Sequence, residues 1–600
     1  MTITAPRPSA ATTGDVAPAT LCAAFRRSAA AHPQRPALRL AGDEQTLSWA
    51  GYADRVRRSA AALAALGIGR GDTVALLLTN RPEAAWVDVA AMHVGATTVS
   101  IYVASSARDL EHMLADSGAR LVVTERALAG RIEALRHACP ALDHVVGVDG
   151  AGHGMAALAA VEAAADPGFD LEAHARAVTP DDVVSLLYTS GTTGPPKGVR
   201  HTHATILALL RAFEAASPAQ PAVSYVSYLP LAHLGERGIG HYRALVRGST
   251  TTFCPDLARL GSALADVHPS WLFGPPRIWR VLQAAVEATI AADPGARAAL
   301  ARSLARVRAQ GRGEAAAPLA PRDDTALAGV RTRFGLDRLE HALTAAAPCA
   351  SEVHEFFLAL GLPFAEFYGM TEIGAATMTR PEPADIGTVG RTTPSFELRL
   401  AEDAEVLVRG PAVTPGYHGR PHETAALIDA QGWVHTGDVG TLDAEGRLRI
   451  VDRLKELIVS DEGHNMSPAT IETRLAAASP LIAHACVIGD ARPYNVALPV
   501  LDPVAAARCA GMAGADAAAL AGTPAVCDAV AAAVREANDA LDPRERVRRH
   551  TVLTGPWAPG GDELTPTSKL RRRAVAARYA AEIDAMYGAQ GASARAIARP

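Results

Sequence analysis

From Thr20 onward the chain alternates helical and strand-like periodicity, and this alternation restricts the fold more than any other feature. Leu21–Ala31 has helical spacing, and Ala37–Leu40 and Gln45–Ser48 read as short strands. Gly51–Leu66 is helical, Asp72–Leu78 an apolar strand, and Glu83–His93 a helix. Thr97–Tyr102, Ala107–Ser117 and Arg120–Thr124 repeat the strand–helix–strand order. Parallel strands need a crossover between them, so this order predicts largely parallel sheets covered by helices on both faces. At 600 residues the chain exceeds what one core can hold, so at least two domains are expected.

The pattern changes twice. Residues 291–325 are rich in Ala, Arg, Gly and Pro and read as helical pieces joined by a surface loop. From Glu397 to Ile450 short strands and turns follow one another, which predicts a small β-rich unit. After Leu454 an α+β segment begins, alanine-rich and helical over 505–537. The expected class is α/β, with a large N-terminal domain over 20–453 and an α+β C-terminal domain over 454–588. Residues 1–19 and 589–600 read as tails.

The most informative local string is Tyr188-Thr189-Ser190-Gly191-Thr192-Thr193-Gly194-Pro195-Pro196-Lys197-Gly198. Asp182–Tyr188 before it is strand-like, and Thr202–Phe213 after it can form a helix, so the string reads as a strand-to-helix loop. Glycines let backbone N–H groups converge, and hydroxyls and an ammonium add donors for anionic oxygens. The ligand that suits them is a polyphosphate. The GxxxxGK[ST] spacing of the common P-loop is missing. A glycine turn that binds nothing is the alternative, and Lys197 with the hydroxyls weighs against it.

Composition removes several classes. The net charge of −5 gives no basic field to recruit nucleic acid. No apolar run reaches the ~18 residues of a membrane span, and the start lacks a basic-then-apolar leader pattern. Cys22, Cys139, Cys254, Cys349, Cys486, Cys509 and Cys527 are scattered with no CxxC pair, which suits reduced thiols in a cytoplasm and gives no zinc site.

The Tyr188–Gly198 string resembles the phosphate-binding signature of the adenylate-forming superfamily, which includes acyl-CoA synthetases, luciferases and peptide-synthetase adenylation domains. Six further segments match in order. Tyr228-Leu229-Pro230-Leu231-Ala232-His233-Leu234-Gly235-Glu236-Arg237 is similar to the YLPLAHxxER stretch of long-chain acyl-CoA synthetases, which implies that His233 lines the acyl pocket as a gate. Phe367-Tyr368-Gly369-Met370-Thr371-Glu372 implies a ring, Tyr368 beside Gly369, stacked on the purine, with Thr371 on a phosphate and Glu372 as a hard oxygen ligand for Mg²⁺. Thr436-Gly437-Asp438 implies Asp438 on the ribose hydroxyls. In Asp452-Arg453-Leu454-Lys455-Glu456, Arg453 resembles the arginine that contacts ribose and phosphate, and Lys455 falls at the hinge of a mobile C-terminal domain. Gly463-His464-Asn465-Met466-Ser467-Pro468 resembles the glycine loop beside the pantetheine arm of CoA, with His464 where relatives usually have Lys. Leu564–Arg573 places Lys569 at the catalytic lysine, and Arg571 to Arg573 read as a basic surface patch or a weak phosphate or membrane-surface contact. A second departure is Ala345, where relatives tend to have glycine.

The resemblance implies activation of a medium- or long-chain fatty acid by ATP with Mg²⁺, then transfer to CoA. Thr189 to Gly194 and Lys197 would hold the pyrophosphate, and Lys569 would stabilise the bond being made. No Ser/His/Asp set is found, and none is needed. Two other readings stay open: an acyl-AMP ligase loading a carrier-protein thiol, and an inactive acyl- or nucleotide-binding protein. Loose membrane association is compatible with the sequence.

Overall fold

A computed structural model of the chain describes residues 2–4, 18–43, 45–189, 195–218, 223–459, 465–490, 492–512, 514–555, 557–565, 569–588 and 597–598. It is an α/β structure that divides into two compact units. The first comprises residues 1–399, 407–436 and 442–449, and the second 400–406, 437–441 and 450–600.

The first unit holds two large sheets. One runs, in spatial order, Lys197–Thr202, Val183–Thr189, Thr97–Ser100, Thr73–Leu77, Ala119–Thr124, His144–Gly147 and Ala156–Ala157. All its pairs are parallel except the first, Lys197–Thr202 against Val183–Thr189. Thr73–Leu77 is buried at every position, as a strand covered on both faces must be. The second sheet centres on the parallel strands Thr250–Phe253, Ser224–Ser227, Trp271–Gly274, His341–Thr344 and Phe364–Met370.

Local chemistry sets the helix starts. Ser48 accepts from Gly51 N ahead of the helix Trp49–Ala65, and Thr202 and Thr205 form a reciprocal capping box on His203–Ala216. Trp279 anchors the core beside the second sheet. Its indole donates to Gly274 O and Leu343 O, and its ring lies edge-on to Phe357 and Phe364 at centroid distances of 4.9 and 4.8 Å. The stretch read as helical pieces is Pro294–Gly311 and Pro321–Arg333, whose inner residues, including Leu300, Val307 and Leu327, join this core.

The loop carrying Ser190 to Gly194 corrects one expectation. Lys197–Thr202 is a strand paired antiparallel to Val183–Thr189, with Lys197 opposite Thr189, so a strand and not a helix follows Pro196. The reason is burial. Gly198, Val199, His201 and Thr202 are buried, and burial pushes His201 down to about 4, so its ring fills the interior uncharged. The strand Phe364–Met370 continues through Tyr368 and Gly369 and turns at 371–373 into Gly374–Met378.

The second unit is α+β. Ile482–Ile488 and Asn495–Leu501 pair antiparallel, and Val547–His550 joins parallel to the latter. Asn495–Leu501 is buried throughout. The alanine-rich stretch forms the helices Pro503–Ala510, Ala517–Ala521 and Pro524–Asp539. Short pairings at the extremities, Thr2–Thr4 with Glu397–Arg399 and Ile597–Ala598 with Val552–Leu553, place these residues in strands where tails are expected.

Candidate active site

In the first unit the two ends of the phosphate-type loop are clamped from outside. Tyr188, one residue before Thr189, donates to Asp116 Oδ2 at 2.7 Å, and Arg420 donates to Asp116 Oδ1 at 3.0 Å. On the other side His112 Nε2 lies 2.8 Å from Pro196 O. Ser190, Gly191, Thr192, Thr193 and Gly194 lie outside the described residues.

Lys197 and Glu372 meet through a residue that sequence reasoning missed. Lys197 Nζ stands 5.1 Å from the centroid of the Tyr417 ring, and the Tyr417 hydroxyl donates to Glu372 Oε1 at 2.8 Å. Backbone bonds hold Tyr417 in that place. Arg200 N donates to Gly416 O, His418 N donates to Gly198 O, and Thr414 N donates to Glu372 O. Glu372 is only 5% exposed. Burial and the neighbouring Glu372 carboxylate push the Tyr417 phenol well above its usual range, so it is a donor at neutral pH.

Thr371 sits in the turn beside Glu372, and Tyr368 is half-buried on the strand before it. Gly369 between them admits no side chain, because a Cβ there would meet Gly374 O at 1.8 Å. Glu366 lies on the same strand, and one of its carboxyl oxygens accepts Cys349 N at 3.3 Å. That bond ties down the loop after Thr344, where Ala345 is buried and Ala346 takes the left-handed φ of +74. Burial raises Glu366 to about 8 against the opposing pull of the Cys349 N–H, so it is neutral at pH 7.

The YLPLAH string leads into a π-helix, Gly235–Tyr242. His233 Nδ1 accepts from Gly235 N at 3.1 Å. Glu236 and Arg237 of the same string are fully buried. Arg237 pairs with Asp88, and burial holds Glu236 far above its usual range, hydrogen-bonded to Tyr225 and Ser227. A cavity of about 110 Å³ runs beside this string, walled by Tyr228, Leu231, Ala232, Leu76, Ser100 and Ile101.

In the second unit Asp438 and Arg453 are together. Arg453 Nε lies 3.4 Å from Asp438 Oδ1, and Gly437, at φ +70, accepts Leu454 N at 2.7 Å. The Glu405 carboxylate accepts Gly437 N at 2.8 Å, which fixes the turn that presents Asp438. Lys455 is exposed in the next turn. Lys569 is exposed, its backbone bonded in both directions to Thr565. Gly463 and His464 lie outside the described residues. Arg572 corrects the reading of a basic surface patch. It is 16% exposed, ion-paired with Glu472, and donates to Val487 O at 3.0 Å.

Residues 25–418 match the family described as AMP-binding enzyme, and residues 455–591 match the AMP-binding enzyme C-terminal domain. The chain belongs to the AMP-binding enzyme family. Among its relatives is a protein of Mycobacterium tuberculosis with the provisional name fatty-acid–CoA ligase fadD11, 42% identical over 442 residues, 71% of this chain and 77% of that one. Long-chain-fatty-acid–CoA ligase FadD15 of the same organism is 33% identical over 551 residues, 89% of this chain and 91% of that one. The fold is shared with the A-PCP didomain of a carboxylic acid reductase from Segniliparus rugosus, solved with AMP, at a TM-score of 0.74 and 21% identity over 96% of this chain and 83% of that one.

Within this AMP-binding enzyme, sequence reasoning missed Tyr417, Glu366 and the Arg572–Glu472 pair. Tyr417 stands in Thr414-Pro415-Gly416-Tyr417, and an aromatic residue after Pro-Gly was its one local signal. Among the described residues no helix is long and apolar enough to cross a membrane.

Proposed function

We propose that this enzyme activates a medium- or long-chain fatty acid with ATP and transfers the acyl group to CoA, giving acyl-CoA, AMP and pyrophosphate. The observation that carries this reading is the arrangement around Tyr417, which holds the cation Lys197 and the buried carboxylate Glu372 at two sides of one ring beside a glycine- and hydroxyl-rich loop. A phosphate cation and a hard oxygen donor side by side suit a nucleoside triphosphate with its metal. The acid class comes from the relatives named fatty-acid–CoA ligases and from the YLPLAH string with its apolar cavity.

In the first half-reaction a carboxylate oxygen attacks the α-phosphorus and the bond to pyrophosphate breaks. Both reactants are anions, so the site must neutralise charge and align them. Lys197 and the loop from Thr189 to Gly194 hold the departing pyrophosphate, with Thr371 on a phosphate oxygen. Asp438 accepts the ribose hydroxyls, Arg453 adds a contact to ribose and phosphate, and Tyr368 stacks on the purine. Lys569 bridges the carboxylate and the α-phosphate. Mg²⁺ suits Glu372, a buried carboxylate oriented by a neutral phenol, and when bound it supplies charge screening on the phosphates.

In the second half-reaction the CoA thiol attacks the adenylate carbonyl and AMP leaves. Lys455 serves as a hinge, so that the chain after it offers Lys569 to one step and the Gly463 loop to the next. His233 gates the acyl group. Unpaired cysteines suit a cytoplasmic setting.

The test is a panel of carboxylic acids of graded length incubated with ATP and CoA, following AMP release and thioester. AMP release with C8–C18 acids and thioester on CoA is expected. Thioester only on a holo carrier protein would replace CoA as acceptor. ATP–pyrophosphate exchange at background with every acid would refute the enzyme reading.

A further inference from the structure

We propose that Tyr417 is a positioning residue that keeps the phosphate cation Lys197 and the metal carboxylate Glu372 from pairing with each other. The inference rests on the nucleotide reading above and adds a residue to it. Lys197 lies over the ring face and Glu372 at the hydroxyl, and the Glu423 carboxylate also acts on the phenol. Opposite charges that approach within ~4 Å in a half-buried site attract strongly enough to compete with the ligands each should hold. Tyr417 occupies both. Its ring face lies 5.1 Å from Lys197 Nζ, and its hydroxyl donates to Glu372 Oε1 at 2.8 Å.

The two contacts differ from an ion pair in a useful way. A cation over an aromatic face is held more weakly than by a buried carboxylate, so a phosphate can take it. A phenol donor orients a carboxylate without cancelling its charge. The backbone that carries the ring is held in place. Tyr417 bridges to Val199 on the strand that begins at Lys197, and Tyr417 N donates to Thr424 Oγ1 at 3.0 Å. Thr414, three residues before it, bonds to the Glu372 backbone at 2.8 Å. The segment that carries the spacer is therefore paired both with the strand that begins at Lys197 and with the Glu372 backbone.

The test measures ATP binding by calorimetry without acid or CoA, once in EDTA and once with Mg²⁺. Three variants are compared with the wild type: Tyr417→Phe, Tyr417→Leu, and Tyr417→Leu with Glu372→Gln. Tyr417→Phe keeps the ring and is expected to hold metal-free ATP affinity, while the gain on adding Mg²⁺ shrinks by about tenfold, the effect of one charge-assisted hydrogen bond. Tyr417→Leu is expected to lose about tenfold in metal-free ATP affinity as Lys197 turns to Glu372. Adding Glu372→Gln in that background should restore it, which a merely structural role for Tyr417 would not allow. Metal-free affinity unchanged in folded Tyr417→Leu, or no recovery in the double variant, overturns the inference. If Tyr417→Leu does not fold, an unaltered Mg²⁺ gain in Tyr417→Phe overturns it instead. A wild type that binds no ATP in either buffer overturns the nucleotide reading beneath it.

Discussion

Glu366→Gln should stabilise the first unit, by an amount that depends on pH. Glu366 is 5% exposed, and its partners are neutral: Cys349 N donates to one carboxyl oxygen, and Glu366 N donates to Thr379 Oγ1. Cys349 is itself held protonated by burial, with the charges of Glu366, Arg280 and Glu352 acting on its thiol. Burial raises Glu366 from 4.5 to about 8. Below the lower value the carboxyl is neutral in both folded and unfolded chains and costs nothing. Between the two values the unfolded chain releases its proton and the folded chain keeps it, so stability falls by ~1.4 kcal/mol per pH unit. Above the upper value both are ionised and the loss levels off. Integrated, the cost is about 3 kcal/mol at pH 7 and about 5 kcal/mol by pH 9. Glutamine copies the shape of a neutral carboxyl, accepts the same Cys349 N–H, and does not titrate. Urea unfolding followed by the buried Trp49, Trp271 and Trp279 reports the first unit. The gap between variant and wild type should open steadily from pH 5 to pH 8 and level off by pH 9. A gap that is constant over this range would refute the claim that Glu366 is held neutral.

Two further outcomes are expected. Lys569→Ala should cut adenylate formation by about 10²–10³, the effect of one well-placed charge contact worth ~3 kcal/mol, while thioester formation from supplied acyl-AMP survives; equal losses in both half-reactions would remove Lys569 from its role. Asp88→Ala leaves the fully buried Arg237 without its carboxylate and should cost about 3–5 kcal/mol in urea unfolding, whereas a cost under about 1 kcal/mol would mean that Tyr242, Ser100 and Thr98 satisfy the guanidinium without it.

The parallel sheets were legible because a strand buried on both faces must be apolar at every position, and Thr73–Leu77 and Ala119–Thr124 are nearly so. Helix starts were legible for a similar local reason, as at Ser48 and Thr202. The strand Lys197–Thr202 was not. Its polar letters, Lys-Gly-Val-Arg-His-Thr, conceal an inward face that includes a neutral histidine, and the pairing that makes it a strand lies across the loop. Arg572 misled for the same reason: three successive arginines look like a surface, until Glu472 lies beside the middle one.

The sequence by itself determined the class of fold and the identity of the charged groups, because alternation, caps and short strings act over a few residues. Only the tertiary structure decided which groups are held together. Tyr417 reaches Lys197 and Glu372, and Asp438 reaches Arg453, through backbone pairings between distant segments. Those pairings also set the dielectric around each group, which is why Glu366 keeps its proton while Asp88 beside Arg237 gives its proton up. Burial and partner are properties of the assembled core, and no window of local sequence contains them.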